Sequence, residues 1–91
     1  MEAQEALSKI EEHRKEIDVL DERLIRLINE RATHSLAIRV LKPYANMNLY
    51  DPEREEKIYK RLEGINNGPM HSKDVREIYA ALLKVMKSIK M

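Results

Sequence analysis

The sequence predicts an all-α protein of three helices, one long, one short and one of medium length. Hydrophobic residues make up 43% and charged residues 36%, with only two glycines, three prolines and no aromatics besides four tyrosines. This balance is typical of amphipathic helices rather than of sheets. The apolar residues recur at three- and four-residue steps, which is the helical period.

The first predicted helix runs from about Ala3 to Leu41, a stretch without glycine or proline. Its periodic apolar residues are Leu7, Ile10, Ile17, Leu20, Leu24, Leu27, Ile28, Ile38 and Leu41. At the rise of an α-helix it would be roughly 50 to 60 Å long, more than the diameter of a globule of this size. Because the remaining residues are too few to cover it, we expect a second copy of the chain to pack along it.

The second helix is predicted from Asp51 to about Glu63, after a loop that begins at Pro43. Proline ends a helix, and an aspartate followed by a proline is typical of a helix start. Glu55 is unusual here, because it shares a face with the apolar residue Ile58.

The third helix is predicted from about Lys73 to Lys90. The stretch "GINNGPMHS" before it reads as a loop, with Gly64 as a helix stop and Ser72 as an N-cap. With no internal repeat and no linker, residues 1–91 are predicted to form a single domain.

Composition excludes several classes of function. The chain has no cysteine, so it has neither disulfides nor thiolate metal sites, and its three histidines show no ligand spacing, so we predict no metal site. A formal net charge of +1 gives no electrostatic footprint for nucleic acid. We also predict no membrane segment and no leader peptide, hence a cytoplasmic protein.

Two arginines lie on the apolar seam of the long helix. In a heptad register Arg31 shares a core position with Leu24 and Ile38, and Arg14 shares the partner position with Ser35. A buried arginine is costly unless it meets an acid or an anionic ligand. The structural alternative is that both reach the edge or pair with acidic neighbours, namely Glu12, Glu16 or Glu30.

The spacing of the cations favours a ligand. Arg31 and Lys42 are 11 residues apart, close to three turns and roughly 16 Å, whereas Arg14 and Arg31 lie about 25 Å apart. An antiparallel second copy would bring its Arg14 level with Arg31 and Lys42, giving two equivalent sites per dimer. With Arg54, these cations suit a small molecule with two carboxylates.

Asp51 and Glu55 would be acceptors in this site, for a hydroxyl or for the arginines. No side chain looks like a nucleophile with an adjacent base, so any chemistry would depend on electrostatics and confinement.

The sequence resembles the all-helical AroQ class of chorismate mutase. The resemblance lies in the stretches "HRKEIDVLDERLIRLINER" and "DPEREEKIYKRL" and in Lys42 between them. The family pattern is R-x-x-I-D-x-L-D, an arginine on the same helix, a lysine 11 residues later and D-x-x-R-E, and every spacing is kept. The resemblance covers about Ile10 to Leu62 with high specificity. The "NNGP" stretch is also similar to mutase domains fused to deoxy-arabino-heptulosonate-phosphate synthases.

The resemblance implies an isomerase that rearranges chorismate to prephenate in aromatic amino-acid biosynthesis without cofactor or metal. It also implies that the three helices form an intertwined helical homodimer with shared sites. It implies that Arg14 of the partner chain and Arg31 bind the substrate carboxylates, and that Lys42 donates to the ether oxygen. Asp51 and Glu55 would hold the ring hydroxyl, and Arg54 would support a carboxylate or the acidic residues. Ser35 could also touch the ligand, the alternative being a hydrogen bond to its own helix.

The third helix departs from the family pattern. Where the family has a small or hydroxyl residue and then a glutamine or glutamate, this chain has Met86 and Lys90. Lys90 is expected to act as a substitute donor to the ether oxygen. The departure leaves one alternative open, a domain that senses chorismate or prephenate for a fused or associated synthase. An isochorismate pyruvate lyase has a similar cationic pocket, but the intact D-x-x-R-E motif favours the mutase. A purely structural helical dimer is the third alternative.

Overall fold

A computed structural model of the protein describes residues 1–90, and within them every regular element is a helix. The α-helices are α1 (Ala3–Leu41), α2 (Pro52–Ile65) and α3 (Ser72–Ser88), and a 3₁₀ turn, Lys42–Ala45, follows α1. The prediction of an all-α protein with a long, a short and a medium helix is confirmed. None of the helices in the described part of the chain is long and apolar enough to span a bilayer.

The chain divides into two compact units, the first being Met1–His34 and the second beginning at Ser35. The first unit consists of helix alone from Ala3 onward, and none of its 34 residues, all of them described, is buried. Most of its large apolar residues are exposed to solvent, for example Leu7 at 56% and Leu24 at 54%.

The second unit contains a small core between α2 and α3, which pack against each other. The buried residues are Ile58, Val75, Leu83 and Met86. Arg76 of α3 also joins the two helices. Its guanidinium donates to both carboxylate oxygens of Glu56 on α2, at 2.8 and 3.2 Å, and to Glu63 on α2 at 3.0 Å. The same guanidinium lies 4.6 Å from the ring centre of Tyr59.

Arg39, near the end of α1, binds the end of α3 within the second unit. Its guanidinium donates to the carbonyl oxygens of Met86 and Ile89, both at 2.6 Å. The last carbonyls of a helix have no partner within the helix, and a cation there also interacts favourably with the helix dipole. This contact fixes the last turn of α3 against the end of α1.

The helix ends differ from the predicted ones by one or two residues. Helix α2 continues through Gly64 to Ile65, so the prediction of Gly64 as the stop was wrong. His71 rather than Ser72 is the N-cap of α3, and its backbone N–H donates to the Asp74 carboxylate at 3.0 Å. Helix α3 ends at Ser88, which leaves Lys90 outside the helix predicted to contain it.

Candidate active site

Lys42 is the first residue after α1 and is half-buried. Its Nζ donates to the carbonyl oxygen of Leu49 at 2.9 Å, seven residues along the chain. The bond therefore ties the end of α1 to the loop that precedes α2. Pro43 sits in the 3₁₀ turn, as expected of a residue that ends a helix.

Asp51 caps α2 as the sequence predicts. Its carboxylate accepts a hydrogen bond from the backbone N–H of Arg54 at 3.0 Å, and Pro52 is the first helical residue. The first N–H groups of a helix have no partner within it, so this bond satisfies one of them. The Arg54 side chain is exposed, and Asp51 is half-buried.

Glu55 lies one turn into α2 and makes an ion pair with Lys87 of α3, with 3.0 Å between Oε2 and Nζ. The Lys87 ammonium also lies 5.1 Å from the ring centre of Tyr50, just before the cap. The hydrogen bond to Glu55 raises the pKa of Lys87 above its usual value. Glu55, whose charge stood out on the apolar face of α2, thus has a cation from another helix.

Lys87 is the residue of this region that the sequence analysis missed. A signal for it exists in the sequence: Lys87 lies four residues after Leu83 and one after Met86, both buried, so it stands at the edge of the apolar face of α3. A charge beside an apolar face is similar to the pattern that singles out Glu55.

The two predicted site residues of the third helix lie apart from these contacts. Met86 is 6% exposed and is part of the core, while Lys90 is exposed and follows the end of α3. The roles given to both in substrate binding and catalysis stay predictions.

Arg14 and Arg31 belong to the first unit. Arg14 pairs with Glu11 at 2.9 Å, one turn earlier on α1, and its side chain is 69% exposed. The structural alternative named Glu12, Glu16 or Glu30 as partners of the two arginines, and for Arg14 the observed partner is instead Glu11, three residues earlier on the same helix. Arg31 and, in the second unit, Ser35 are half-buried.

An open cavity of about 480 Å³ lies along the segment before α2. Its lining residues are Asn46, Met47, Asn48, Tyr50, Asp51, Pro52 and Glu53. The charged residues in this lining are Asp51 and Glu53, so the cavity does not suit a dicarboxylate ligand. Within residues 1–90 no group of three or more His, Asp or Glu side chains is placed to hold a metal ion.

Comparison with known proteins decides the family. Residues 13–91 match the model of the family described as "Chorismate mutase type II". The chain belongs to this family. The match includes Arg14, Arg31, Lys42 and the D-x-x-R-E motif, so the resemblance identified from the sequence is confirmed.

Relatives and solved structures agree with the family. The chain is 36% identical to a bifunctional chorismate mutase/prephenate dehydratase of Aquifex aeolicus, in an alignment that covers 93% of the chain and 26% of that protein. It is 36% identical over 56 residues to the chorismate mutase of Methanocaldococcus jannaschii, covering 62% of the chain and 57% of that protein. The chain thus spans about a quarter of the first relative's length and over half of the second's.

Among solved structures, the chorismate mutase (form I) of Thermus thermophilus matches with a TM-score of 0.82 and 29% identity. This match covers 86% of the present chain and 98% of the other one. The helical fold is therefore that of chorismate mutases over most of its length.

Proposed function

We propose that the protein is an enzyme that rearranges chorismate to prephenate in aromatic amino-acid biosynthesis. The observation that carries the proposal is the family match over residues 13–91, which includes every charged position of the motif. The rearrangement is unimolecular, so an enzyme accelerates it by holding a compact conformer of the substrate and stabilising the charge that develops.

We assign the roles as the resemblance implies them. Arg31 of one subunit and the partner subunit's Arg14 bind the two substrate carboxylates. Each guanidinium is planar and can donate two parallel hydrogen bonds to a carboxylate. Lys42 donates to the ether oxygen, where negative charge grows as the carbon–oxygen bond breaks, and Lys90 is a second donor. Asp51 and Glu55 hold the ring hydroxyl. Arg54, Ser35 and Met86 complete the proposed substrate contacts.

We further propose a homodimer with shared sites in the cytoplasm. The support is in the first unit, where a lone helix presents apolar residues to solvent. A single helix cannot bury its own apolar face, so a partner that covers it is stabilising. A second copy offers the same face and also supplies the Arg14 that each site needs.

A fused or associated enzyme of the same pathway is a further proposal. The sequence pointed to a heptulosonate-phosphate synthase, whereas the two bifunctional relatives, from Aquifex aeolicus and Neisseria gonorrhoeae, are named chorismate mutase/prephenate dehydratase. A second candidate function, a sensor of chorismate or prephenate, is favoured by the positions of the two residues that depart from the family pattern: Met86 is buried and Lys90 lies beyond α3.

The proposed activity is tested by following the loss of chorismate absorbance with the purified protein. We expect turnover, and a loss of on the order of 100-fold or more in kcat for Lys42→Ala, because a donor to a developing oxyanion acts mainly in the transition state. Arg31→Ala should raise KM as well, because it removes a contact with the ground state.

Two exposed residues provide matched controls, Lys57→Ala on α2 and Arg26→Ala on α1. Both should leave kcat/KM unchanged. Chorismate binding without turnover by the wild-type chain would favour the sensor. Absence of both binding and turnover would overturn both functions.

A further inference from the structure

Lys87 reaches from α3 to the motif residue Glu55 on α2. The Lys87 ammonium is 3.0 Å from Glu55 Oε2, and the Glu55 side chain is only 21% exposed against 49% for Lys87. Glu55 is thus the more enclosed member of the pair, and Lys87 is the cation that compensates its charge. A charged donor of this kind stabilises an ionised carboxylate that is partly enclosed by the protein.

A second contact fixes the direction of the lysine. Its ammonium lies 5.1 Å from the ring centre of Tyr50, within the range of cation–π attraction. Tyr50 immediately precedes the cap residue Asp51. The ammonium therefore contacts both the first turn of α2, at Glu55, and the residue that precedes the helix cap.

We propose that Lys87 is a positioning residue of the active site, which holds the Glu55 carboxylate as an oriented acceptor for the hydroxyl of the substrate. This inference rests on the proposed function. An ionised carboxylate offers about four lone-pair sites on two oxygens, and the bond to Lys87 uses one on Oε2. The orientation of the carboxylate is set by the protein before the substrate arrives, which lowers the entropy lost on binding.

A purely structural role for the pair is the alternative. The α2 and α3 helices are already joined by Arg76, which binds Glu56 and Glu63, and by the buried residues of the core. Half-exposed ion pairs contribute little to stability. We therefore expect Lys87→Met to fold with nearly the wild-type Tm, so that its kinetic effect can be measured.

The test compares Lys87→Met with Lys84→Met, an exposed lysine one turn earlier on the same helix. We expect kcat/KM of Lys87→Met to fall about tenfold, mostly through KM, because a Glu55 carboxylate without its positioning partner binds the substrate hydroxyl less well in both the ground state and the transition state. Lys84→Met should match wild type. Lys87→Arg should restore most of the loss, because it keeps a cation at the position.

A Glu55→Gln background separates positioning from any direct role of Lys87. If Lys87 acts through Glu55, adding Lys87→Met to Glu55→Gln should lower kcat/KM by less than about twofold, because coupled effects are not additive. An equal loss in both backgrounds, or Lys87→Met indistinguishable from Lys84→Met, would overturn the inference.

Failure of the proposed function gives a different pattern. A wild-type chain that binds chorismate without turnover, with binding weakened by Lys87→Met but not by Lys84→Met, would overturn the mutase activity and support the inference. Turnover by wild type with no difference between the two variants would overturn the inference alone. Neither turnover nor binding by wild type would overturn both.

Discussion

Asp51 has a structural contact and a proposed chemical role in one side chain. The carboxylate accepts from the Arg54 backbone N–H, so it caps α2, and the same group is assigned to the substrate hydroxyl. Two substitutions separate these roles. Asparagine keeps a side-chain oxygen and caps helices about as well as aspartate, whereas alanine removes the cap.

We expect Asp51→Ala to lower the free energy of unfolding by about 1 kcal/mol, and Asp51→Asn to lower it by much less. Both should lower kcat/KM roughly tenfold or more, because a neutral acceptor binds a hydroxyl less strongly than a carboxylate does. Urea denaturation and chorismate turnover measure the two effects. Wild-type kcat/KM in Asp51→Asn would leave Asp51 as a cap only.

At the scale of the elements, Arg76 joins α2 to α3 through charges that depend on pH. The hydrogen bond from Arg76 lowers the pKa of Glu56 below its usual value, and the bonds to Glu56 and Glu63 raise the pKa of Arg76, which therefore stays charged. A carboxylate with a lowered pKa stabilises the folded state above its unfolded pKa, about 4.3 for glutamate. That stabilisation is lost as the pH falls through the folded pKa.

Arg76→Met should therefore lower the urea midpoint at pH 7, and the difference from wild type should shrink as the pH falls below about 4. Circular dichroism at a series of pH values measures it. Arg61→Met, an exposed arginine on α2, is the control and should follow wild type throughout. A difference that is the same at pH 7 and pH 3 would mean that Arg76 acts by packing over Tyr59.

The elements also show what the sequence can predict and why. The α1 bounds agree with the prediction because periodic apolar residues without glycine or proline define a long helix locally. The α2 cap agrees because Asp51 and Pro52 act within one turn. The contact of Lys87 with Glu55 could not be predicted, because it depends on the position of α3 along the axis of α2. The packing of Ile58, Leu83 and Met86 in the core sets that position.

The charges proposed to bind substrate show the same limit. Arg14 and Arg31 stand out in the sequence because they interrupt an apolar seam, and the chain itself gives Arg14 only an exposed partner, Glu11. An exposed ion pair between neighbouring turns does not explain an arginine at a core position of the seam. The explanation we propose lies at the scale of the whole molecule, in the second copy of the chain.

For the whole molecule, an interface that covers the apolar face of the first unit makes folding depend on protein concentration. With a dimer as the folded species, Tm should rise with concentration, and sedimentation should give twice the chain mass. Such a result establishes the dimer without showing whether its sites are shared. Mixing two inactive variants answers that second question, because a mixed dimer can combine the intact arginine of each chain in one site.

We expect Arg14→Ala and Arg31→Ala each to lose most activity alone and to recover some of it when they are mixed and refolded together. If each site takes Arg14 from one chain and Arg31 from the other, every heterodimer has one intact site and one doubly altered site. Random pairing of equal amounts makes half of the dimers mixed, so activity should reach about a quarter of the wild-type value.

Chorismate turnover before and after refolding measures the recovery. Refolding each variant by itself is the control and should recover nothing. Sites built within single chains would give no heterodimer with an intact site, because each chain would keep its own altered arginine. A mixture no more active than its components, with mixed dimers demonstrated by mass spectrometry, would therefore contradict shared sites while leaving the dimer in place.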